Sequence, residues 1–223
     1  MNIPTKEQFL ESVKNHTVTT LLDNGVYRHL HCTKGSINRH FDIVTYPGHL
    51  VISGDMGSYT FKRVDDMFKF FHMDDNDFMK DNVINPHYWG EKLEAVCKQS
   101  GYRVHSEETL MKSINDHVDN ICADIEAHFE GYDDDEYETV EAFEAAFREE
   151  VKDHFKYCDM DEYRFIGNFE SNLINGVDFS EDMGDWVESE SYSYHYIWCC
   201  YAIAWAIGEY DKLKAPEGQE AQS

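Results

Sequence analysis

Histidines are the residues whose type and spacing come closest to a chemical site in this chain. The sequence contains twelve of them, and His29 and His31 are two positions apart in a segment that alternates like a β-strand. Side chains two apart on a strand project from the same face of a sheet. His40 and His49 lie near neighbouring predicted strands, and Asp42 adds a carboxylate. Imidazoles and carboxylates together are typical ligands of divalent metals.

Two interpretations of these residues stay open. In the first, His29, His31, Asp42 and His49 hold a metal ion and, with Asp55, form the site of a metal-dependent hydrolase or another enzyme on the sheet. In the second, they are ordinary surface and packing side chains. The chain has no His-x-x-x-His or Glu-x-x-His pair, which favours the second interpretation. We therefore expect neither a metal nor a cofactor.

The six cysteines do not indicate a nucleophile or a disulfide framework. None belongs to a Cys-x-x-Cys pair, and most lie in apolar segments, where a thiol stays protonated. Cys32 follows His31 directly, but consecutive strand residues point to opposite faces. Free thiols in a reducing cytoplasm are the expectation.

Two further motifs have the composition of a binding loop without its spacing. The acidic runs 74–77 and 133–136 offer the oxygen ligands that calcium prefers, but neither has both the glycine and the glutamate positions of an EF-hand loop. The turn at Gly54–Gly57 has no lysine or arginine for a phosphate group, and its Asp55 would repel one.

Charge is the most unusual property of the sequence. The 223 residues include 44 acids and 19 lysines and arginines, for a net charge of −25. Residues 1–101 carry a net charge of −2 and residues 102–223 carry −23. No excess of cations is available for binding nucleic acid or an anionic membrane directly. The acidic half is either a solvated surface that favours solubility or a surface that docks on a basic partner.

The helix predicted from Val140 indicates how an acidic docking surface would form. Its apolar residues repeat at helical spacing, and its acids fall on the opposite side. Carboxylates interleaved with aromatic residues can imitate nucleic-acid phosphates toward a groove built for DNA or RNA. The predicted partner-binding residues are Asp133, Asp134, Asp135, Glu136, Glu138, Glu141, Glu144, Glu149, Asp153, Glu181, Asp182, Asp185 and Glu188.

A predicted sheet positions the histidines. Alternating β-branched and aromatic runs, separated by turn residues, indicate antiparallel strands and hairpins in the first third of the chain. A capping box from Thr5 to Gln8 opens a short helix before them. The predicted strands are Val18–Leu22, Val26–Cys32, Phe41–Tyr46, His49–Ser53 and Ser58–Arg63.

Helical spacing predominates after the strands. We expect an α+β fold in one domain over 1–214, sheet-rich over 1–63 and helical over 64–214, with a disordered tail over 215–223. The predicted helices are a short aromatic one over 64–71, one from Pro86 whose apolar stripe is Trp89, Leu93 and Val96, one from Ser106 to Phe129, one from Val140 to Phe155, one ending at Leu173, and a buried one that contains Tyr196–Ile207.

The same sequence argues against membrane insertion. The longest apolar run, Tyr196–Ile207, has 12 residues, whereas a membrane-spanning helix needs about 20. The first residues show no apolar signal core behind basic residues. A cytoplasmic location is the expectation.

Two segments resemble a family of uncharacterised proteins encoded by tailed phages and prophages. The first segment runs from Arg28-His29-Leu30 through Phe41–Leu50 and Gly54–Phe61 to Asp66–Phe71, and the second is Trp198–Ile207. The resemblance covers about a quarter of the chain in the first segment and a few per cent in the second. It implies an accessory role in a bacterial cytoplasm during infection, and it carries over no catalytic or binding residue.

Charge and resemblance together predict a phage accessory protein and favour a binding role over an enzymatic one. We expect it to bind and inhibit a host nucleic-acid-handling defence complex, such as a CRISPR effector or a restriction nuclease, through its acidic surface. The partner would be a protein or ribonucleoprotein with a basic nucleic-acid-binding surface. The alternatives are the sheet enzyme described above and a structural or regulatory phage protein with another partner. The oligomeric state does not follow from the sequence.

Overall fold

A computed structural model describes residues 3–72, 84–123, 137, 139–158, 165, 168–174 and 187–214. The chain forms two compact units, which divide the range 1–214 that the sequence analysis treats as one domain. The first unit comprises residues 1–104 and 192–223, and the second comprises residues 105–191. Each unit has its own cluster of buried apolar side chains. The fold is α+β as predicted, with an N-terminal antiparallel sheet followed by a mainly helical part.

The first unit contains a six-stranded sheet in which each strand pairs antiparallel with the next along the chain. The five predicted strands are all present, within two residues of the predicted bounds. The strands are β1 (Thr17–Asn24), β2 (Tyr27–Thr33), β3 (Phe41–Tyr46), β4 (His49–Gly54), β5 (Gly57–Lys62) and β6 (Leu93–Ala95).

The sixth strand lies where the sequence predicts the end of a helix. The helix that begins at Pro86, α3 (Pro86–Gly90), ends before Leu93, so the predicted stripe through Leu93 and Val96 does not form. Leu93 instead pairs with Phe61 of β5. The free edge of β5 offers backbone hydrogen bonds to this segment, and such tertiary pairing overrides a weak helical pattern.

The turn between β4 and β5 requires glycine at its first position. Gly54 pairs with Gly57, which leaves a two-residue turn. A Cβ atom on Gly54 would lie 2.2 Å from the carbonyl oxygen of His40 and 2.7 Å from Cα of Phe41. Any side chain at this position would therefore push β3 and β4 apart.

The last helix, α6 (Tyr194–Lys214), is the core helix predicted around Tyr196–Ile207. It contacts β1 and β5 as well as α1 (Lys6–Val13) and α2 (Met67–Phe71). Its Trp198 is fully buried, with the rings of Phe9 and Phe41 at 5.2 and 5.6 Å. The Trp198 indole N–H donates to Oγ of Ser12, which satisfies its one polar atom.

The second unit is built on two amphipathic helices, α4 (Glu107–Cys122) and α5 (Val140–Tyr157). Ser106 and Thr139 cap them by accepting backbone N–H bonds three residues further on. Their apolar stripes form one buried cluster, which includes Leu110, Ile114, Val118, Phe143, Phe147, Val151 and Phe155.

Several predictions lie outside the described residues. They are the continuation of α4 to Phe129, the start of the helix that ends at Leu173, and the tail over 215–223. Two short strands that were not predicted, β7 (Arg103–His105) and β8 (Glu190–Tyr192), pair with each other. Among the described residues, no helix has both the length and the apolar character needed to cross a membrane.

Candidate functional site

The acids predicted on α5 differ in exposure. Glu141, Glu149 and Asp153 are exposed, whereas Glu144 is half-buried. The helix buries a stripe of apolar residues four apart, so positions on the opposite side face solvent. The predicted separation of an acidic from an apolar face is therefore present in α5.

Basic side chains compensate part of this acidic face. Arg148 binds Glu144 and, across to α4, Asp119, with both N···O distances 2.8 Å. Lys152 binds Glu149 at 3.0 Å. The hydrogen bond that Arg148 donates to Glu144 is the main cause that raises the pKa of Arg148. These pairs reduce the net negative charge of the α5 surface relative to a count of its acids.

Glu150, which is not among the predicted partner-binding residues, has a structural role. One of its carboxylate oxygens accepts from Oγ of Ser171 at 2.7 Å, and the other accepts from the backbone N–H and the side-chain amide of Asn172. Glu150 thus holds segment 168–174 against α5. Its partial burial is shared by Glu144, so the contacts of Glu150, and no signal in the sequence, separate it from the other acids of α5.

Of the remaining predicted partner-binding residues, only Glu188 is described. Its side chain is exposed, and its backbone N–H donates to Oγ of Ser113 on α4. The others lie outside the described residues: Asp133, Asp134, Asp135, Glu136, Glu138, Glu181, Asp182 and Asp185.

The charge asymmetry of the chain follows its division into units. Residues 105–191 include 27 acids and 5 lysines and arginines, which is a net charge of −22. The first unit includes 17 acids and 14 lysines and arginines, which is a net charge of −3. Nearly all of the excess charge therefore belongs to one compact unit with its own apolar core.

The sheet brings together three of the four histidine-cluster residues. Nε2 of His29 and Nδ1 of His31 lie 2.8 and 3.0 Å from the same oxygen of Asp42. His31 is the register partner of Asp42, and His29 is two residues along β2, so all three project from one face. Both rings donate to this oxygen, because an ionised carboxylate only accepts. Burial opposes ionisation of Asp42, but these hydrogen bonds hold its pKa below the ordinary value.

His49 does not join this group. Its ring stacks on Tyr46 at 4.6 Å between centroids, and its Nδ1 bonds the carbonyl oxygen of Pro47. Among the described residues, no group of three or more histidine, cysteine or acidic side chains has an arrangement that could hold a metal ion. The contacts of His29 and His31 are thus those of a hydrogen-bonded cluster.

The first unit contains a cavity of about 520 Å³, which the sequence analysis does not predict. Asp55 from the β4–β5 turn, Cys97 and Ser100 from the loop after β6, and His195 from the first turn of α6 contribute to its wall. These residues are up to about 140 positions apart in the chain. Only the pairing of β6 with β5 and the placement of α6 bring them together.

No protein-family model, no curated protein and no solved structure matches this chain. The resemblance to phage-encoded proteins therefore stays a prediction.

Proposed function

We propose that this chain is a binding protein whose acidic second unit docks on a basic, nucleic-acid-binding surface of a partner and blocks it. The observation that carries the proposal is the net charge of −22 within residues 105–191. A compact unit can present its charge to a partner as one surface, which a disordered acidic run cannot do.

Electrostatic attraction would let such a surface bind its partner rapidly and compete with nucleic acid for the same groove. Clustered charge steers a basic partner and accelerates association. A basic groove that binds the acidic unit has its cations neutralised, so it binds nucleic acid less well. On α4 and α5, the exposed acids available for such contacts include Asp116, Glu141, Glu149 and Asp153.

The finer identity of the partner combines this charge with the sequence resemblance, which implies an accessory role in a bacterial cytoplasm during infection. We propose a host defence complex that handles nucleic acid, met in the bacterial cytoplasm during phage infection. The acidic surface would lie where the complex normally holds DNA or RNA.

Two variants of the full-length protein with equal net charge test the proposal. The acidic-unit variant carries Asp116→Asn, Glu141→Gln, Glu149→Gln and Asp153→Asn. The matched control neutralises four exposed acids of the first unit: Glu11→Gln, Asp65→Asn, Glu94→Gln and Asp211→Asn. Because both variants lose four negative charges, any difference between them reports the location of the charge.

Each tagged protein is used to capture partners from nuclease-treated bacterial lysate at about 50 and about 200 mM salt. We expect wild type and control to capture a nucleic-acid-binding complex that added DNA or RNA displaces, and high salt to weaken the capture. The acidic-unit variant should capture on the order of tenfold less. Equal capture by both variants, or capture that nucleic acid does not displace, would contradict the proposal.

A second candidate, an enzyme on the sheet, is favoured by one observation. Two imidazoles oriented by the carboxylate of Asp42 resemble the pairing that positions a general base. Under this candidate, His31→Ala abolishes function while partner capture is unchanged. Under the binding proposal, the same change leaves partner inhibition intact.

A further inference from the structure

His16 is a buried titratable side chain in the short segment between α1 and β1. It is 8% exposed, and its backbone N–H donates to the carbonyl oxygen of Val13 at 2.7 Å. Its ring atom Nε2 lies 3.0 Å from the carbonyl oxygen of Arg39. A carbonyl oxygen only accepts, so Nε2 carries a proton and donates it. His16 thereby joins the start of the sheet to the loop over 34–40, which connects β2 to β3.

The other ring nitrogen of His16 lies where a proton is unfavourable. Nδ1 is buried and has no hydrogen-bond partner among the residues that the structure describes. In a neutral imidazole that donates through Nε2, Nδ1 carries only a lone pair. Protonation would turn it into a buried N–H donor without an acceptor, which costs free energy. The site therefore fits the neutral imidazole better than the imidazolium.

The charged side chains of the 34–40 loop also disfavour an imidazolium at this position. Lys34 and Arg39 are cations, and both repel a positive charge on His16. Burial is the main cause that lowers the pKa of His16, and the two cations add to its effect. The carbonyl oxygens of Arg39 and Val13 act in the opposite direction, but the pKa of His16 stays below its ordinary value.

The acids on the neighbouring elements are engaged with other groups. Glu11 of α1 pairs with Lys14 at the surface. Asp55 of the β4–β5 turn accepts from the backbone N–H of Arg39 at 2.8 Å. Among the described residues, no carboxylate is hydrogen-bonded to the His16 ring, so none compensates a charge on it.

The loop that His16 holds has a strained residue at the point of attachment. Arg39 has φ = +58°, the only positive φ among the described non-glycine residues, and side chains disfavour this region. Its backbone is fixed on both sides, because the carbonyl oxygen accepts from His16 and the N–H donates to Asp55. Apolar burial adds little, since residues 34–38 are all exposed, with Ile37 at 83%. Loss of one anchor should therefore let the loop relax to another conformation.

We propose that His16 is a pH-sensitive latch, which holds the 34–40 loop in place while its imidazole is neutral and releases it when the imidazole is protonated. The proton comes from water and binds Nδ1. The imidazolium then leaves the buried site for solvent, which breaks the hydrogen bond from Nε2 to Arg39.

The sign of the pH dependence follows from the lowered pKa of the buried ring. A histidine in water has a pKa of about 6.5, and the closed loop favours the neutral ring. The closed loop is therefore most stable above about pH 6.5. This stability is lost progressively as the pH falls from there toward the lowered pKa of the closed form.

Release of the loop changes two clefts beside it. Arg39 lines a cleft of about 490 Å³ next to α1, and Asp55, its backbone partner, lines the cavity of about 520 Å³. The 34–40 loop contains Lys34, Arg39 and His40 and no acid. The latch thus controls the order of a basic segment in an acidic protein, and it does not depend on the docking proposed for residues 105–191.

Hydrogen exchange of the full-length protein at pH 8 and pH 5, corrected for the intrinsic pH dependence of amide exchange, tests the latch. The reporters are the backbone N–H groups of Arg39 and Asp55, and those of Ile43 and Ile52 in the buried sheet are the references. In wild type, protection of the reporters should fall at least about threefold at pH 5, while the references stay protected. Unchanged protection of the reporters, or an equal loss at reporters and references, would overturn the proposal.

Three variants show whether His16 is the group that titrates. His16→Gln retains a side-chain N–H for the Arg39 carbonyl but does not take up a proton in this range, so its reporters should stay protected at both pH values. His16→Ala lacks the donor, so its reporters should exchange rapidly at both. His49→Gln is the matched control, which removes a histidine elsewhere on the sheet and should keep the pH dependence of wild type.

The comparison of wild type with His16→Gln is decisive even where His16→Ala does not fold. If His16→Gln loses protection at pH 5 as wild type does, another group titrates and the latch is wrong. Loss of the pH dependence in His49→Gln would likewise show that His16 is not the sensor.

Discussion

The two units of this protein each have an apolar core, but their net charges differ widely. The first unit carries a net charge of −3 and places a helix that is apolar on most faces, α6, on a six-stranded sheet. The second carries −22 and buries amphipathic helices such as α4 and α5 against each other. Both cores are rich in fully buried aromatic rings. Apolar burial therefore stabilises both units, whereas their surface charge can differ without loss of the core.

Charged groups also have different roles in the two units. In the first, Arg28 forms a bidentate pair with Asp66 at 2.8 and 3.2 Å and lies over the ring of Phe68. Both charged side chains are largely buried. In the second, Arg148 offsets surface acids and is itself partly exposed. The first pair fixes the packing of α2, whereas the second reduces repulsion.

The largest expected effect tests whether the two cores are independent. Phe147→Ala removes a fully buried ring from the second unit and should lower the free energy of unfolding by about 4 kcal/mol. Hydrogen exchange of the full-length variant should accelerate over α4 and α5 and stay unchanged over β2–β4.

Trp198→Ala is the matched variant in the first unit, and its exchange pattern should be the reverse. If either variant loses protection throughout the chain, the two units unfold as one cooperative structure. The contrast between two separately stabilised cores would then be wrong.

An intermediate effect is expected at the buried pair of the first unit. Arg28→Ala leaves the Asp66 carboxylate without its partner and should cost about 3 kcal/mol at neutral pH. Burial opposes ionisation of Asp66, but Arg28 holds its pKa below the ordinary value. A depressed carboxylate pKa stabilises the fold above the unfolded pKa of about 4, and this contribution disappears as the pH falls through the folded pKa.

Denaturant unfolding of wild type and Arg28→Ala between pH 7 and pH 2 measures this difference. The two stabilities should converge as the solution becomes acidic. A difference that persists unchanged at pH 2 would show that Arg28 acts through its stacking on Phe68 and not through its charge.

The smallest effect is expected at the surface pairs of the second unit. Arg148→Ala should lower stability by about 1 kcal/mol at low salt, because Glu144 and Asp119 lose their shared cation. The effect should vanish near 1 M salt, where the screening length is about 3 Å. Lys152→Ala, which removes an exposed pair, is the control and should change stability by less than about 0.5 kcal/mol at either salt.

Local patterns predicted much of the first unit. Alternation identified β2 to β5 because one face of the sheet is buried and the other half-exposed. The same alternation placed His29, His31 and Asp42 on one face, and their hydrogen bonds to one another follow from the register of β2 and β3. Periodicity does not determine distances between strands, however. The prediction that His49 joins this group is therefore not met, because its ring stacks on Tyr46.

Local patterns predicted less where two signals compete. The position of Leu93 fits both a helical stripe and a strand. It forms a strand because the open edge of β5 pairs with it. Glu144, Glu149 and Glu150 look alike in the sequence. Their partners, which are Arg148, Lys152 and the Ser171–Asn172 segment, distinguish them only in three dimensions.

The sequence by itself determined the class of fold, the buried helix and the concentration of negative charge, because each follows from composition and from neighbours a few positions apart. The tertiary structure decided that this charge belongs to a unit with its own core. It also decided that Cys97 faces a cavity with Ser100, Asp55 and His195. Contacts between distant segments depend on strand register and helix placement, and no short-range pattern encodes them.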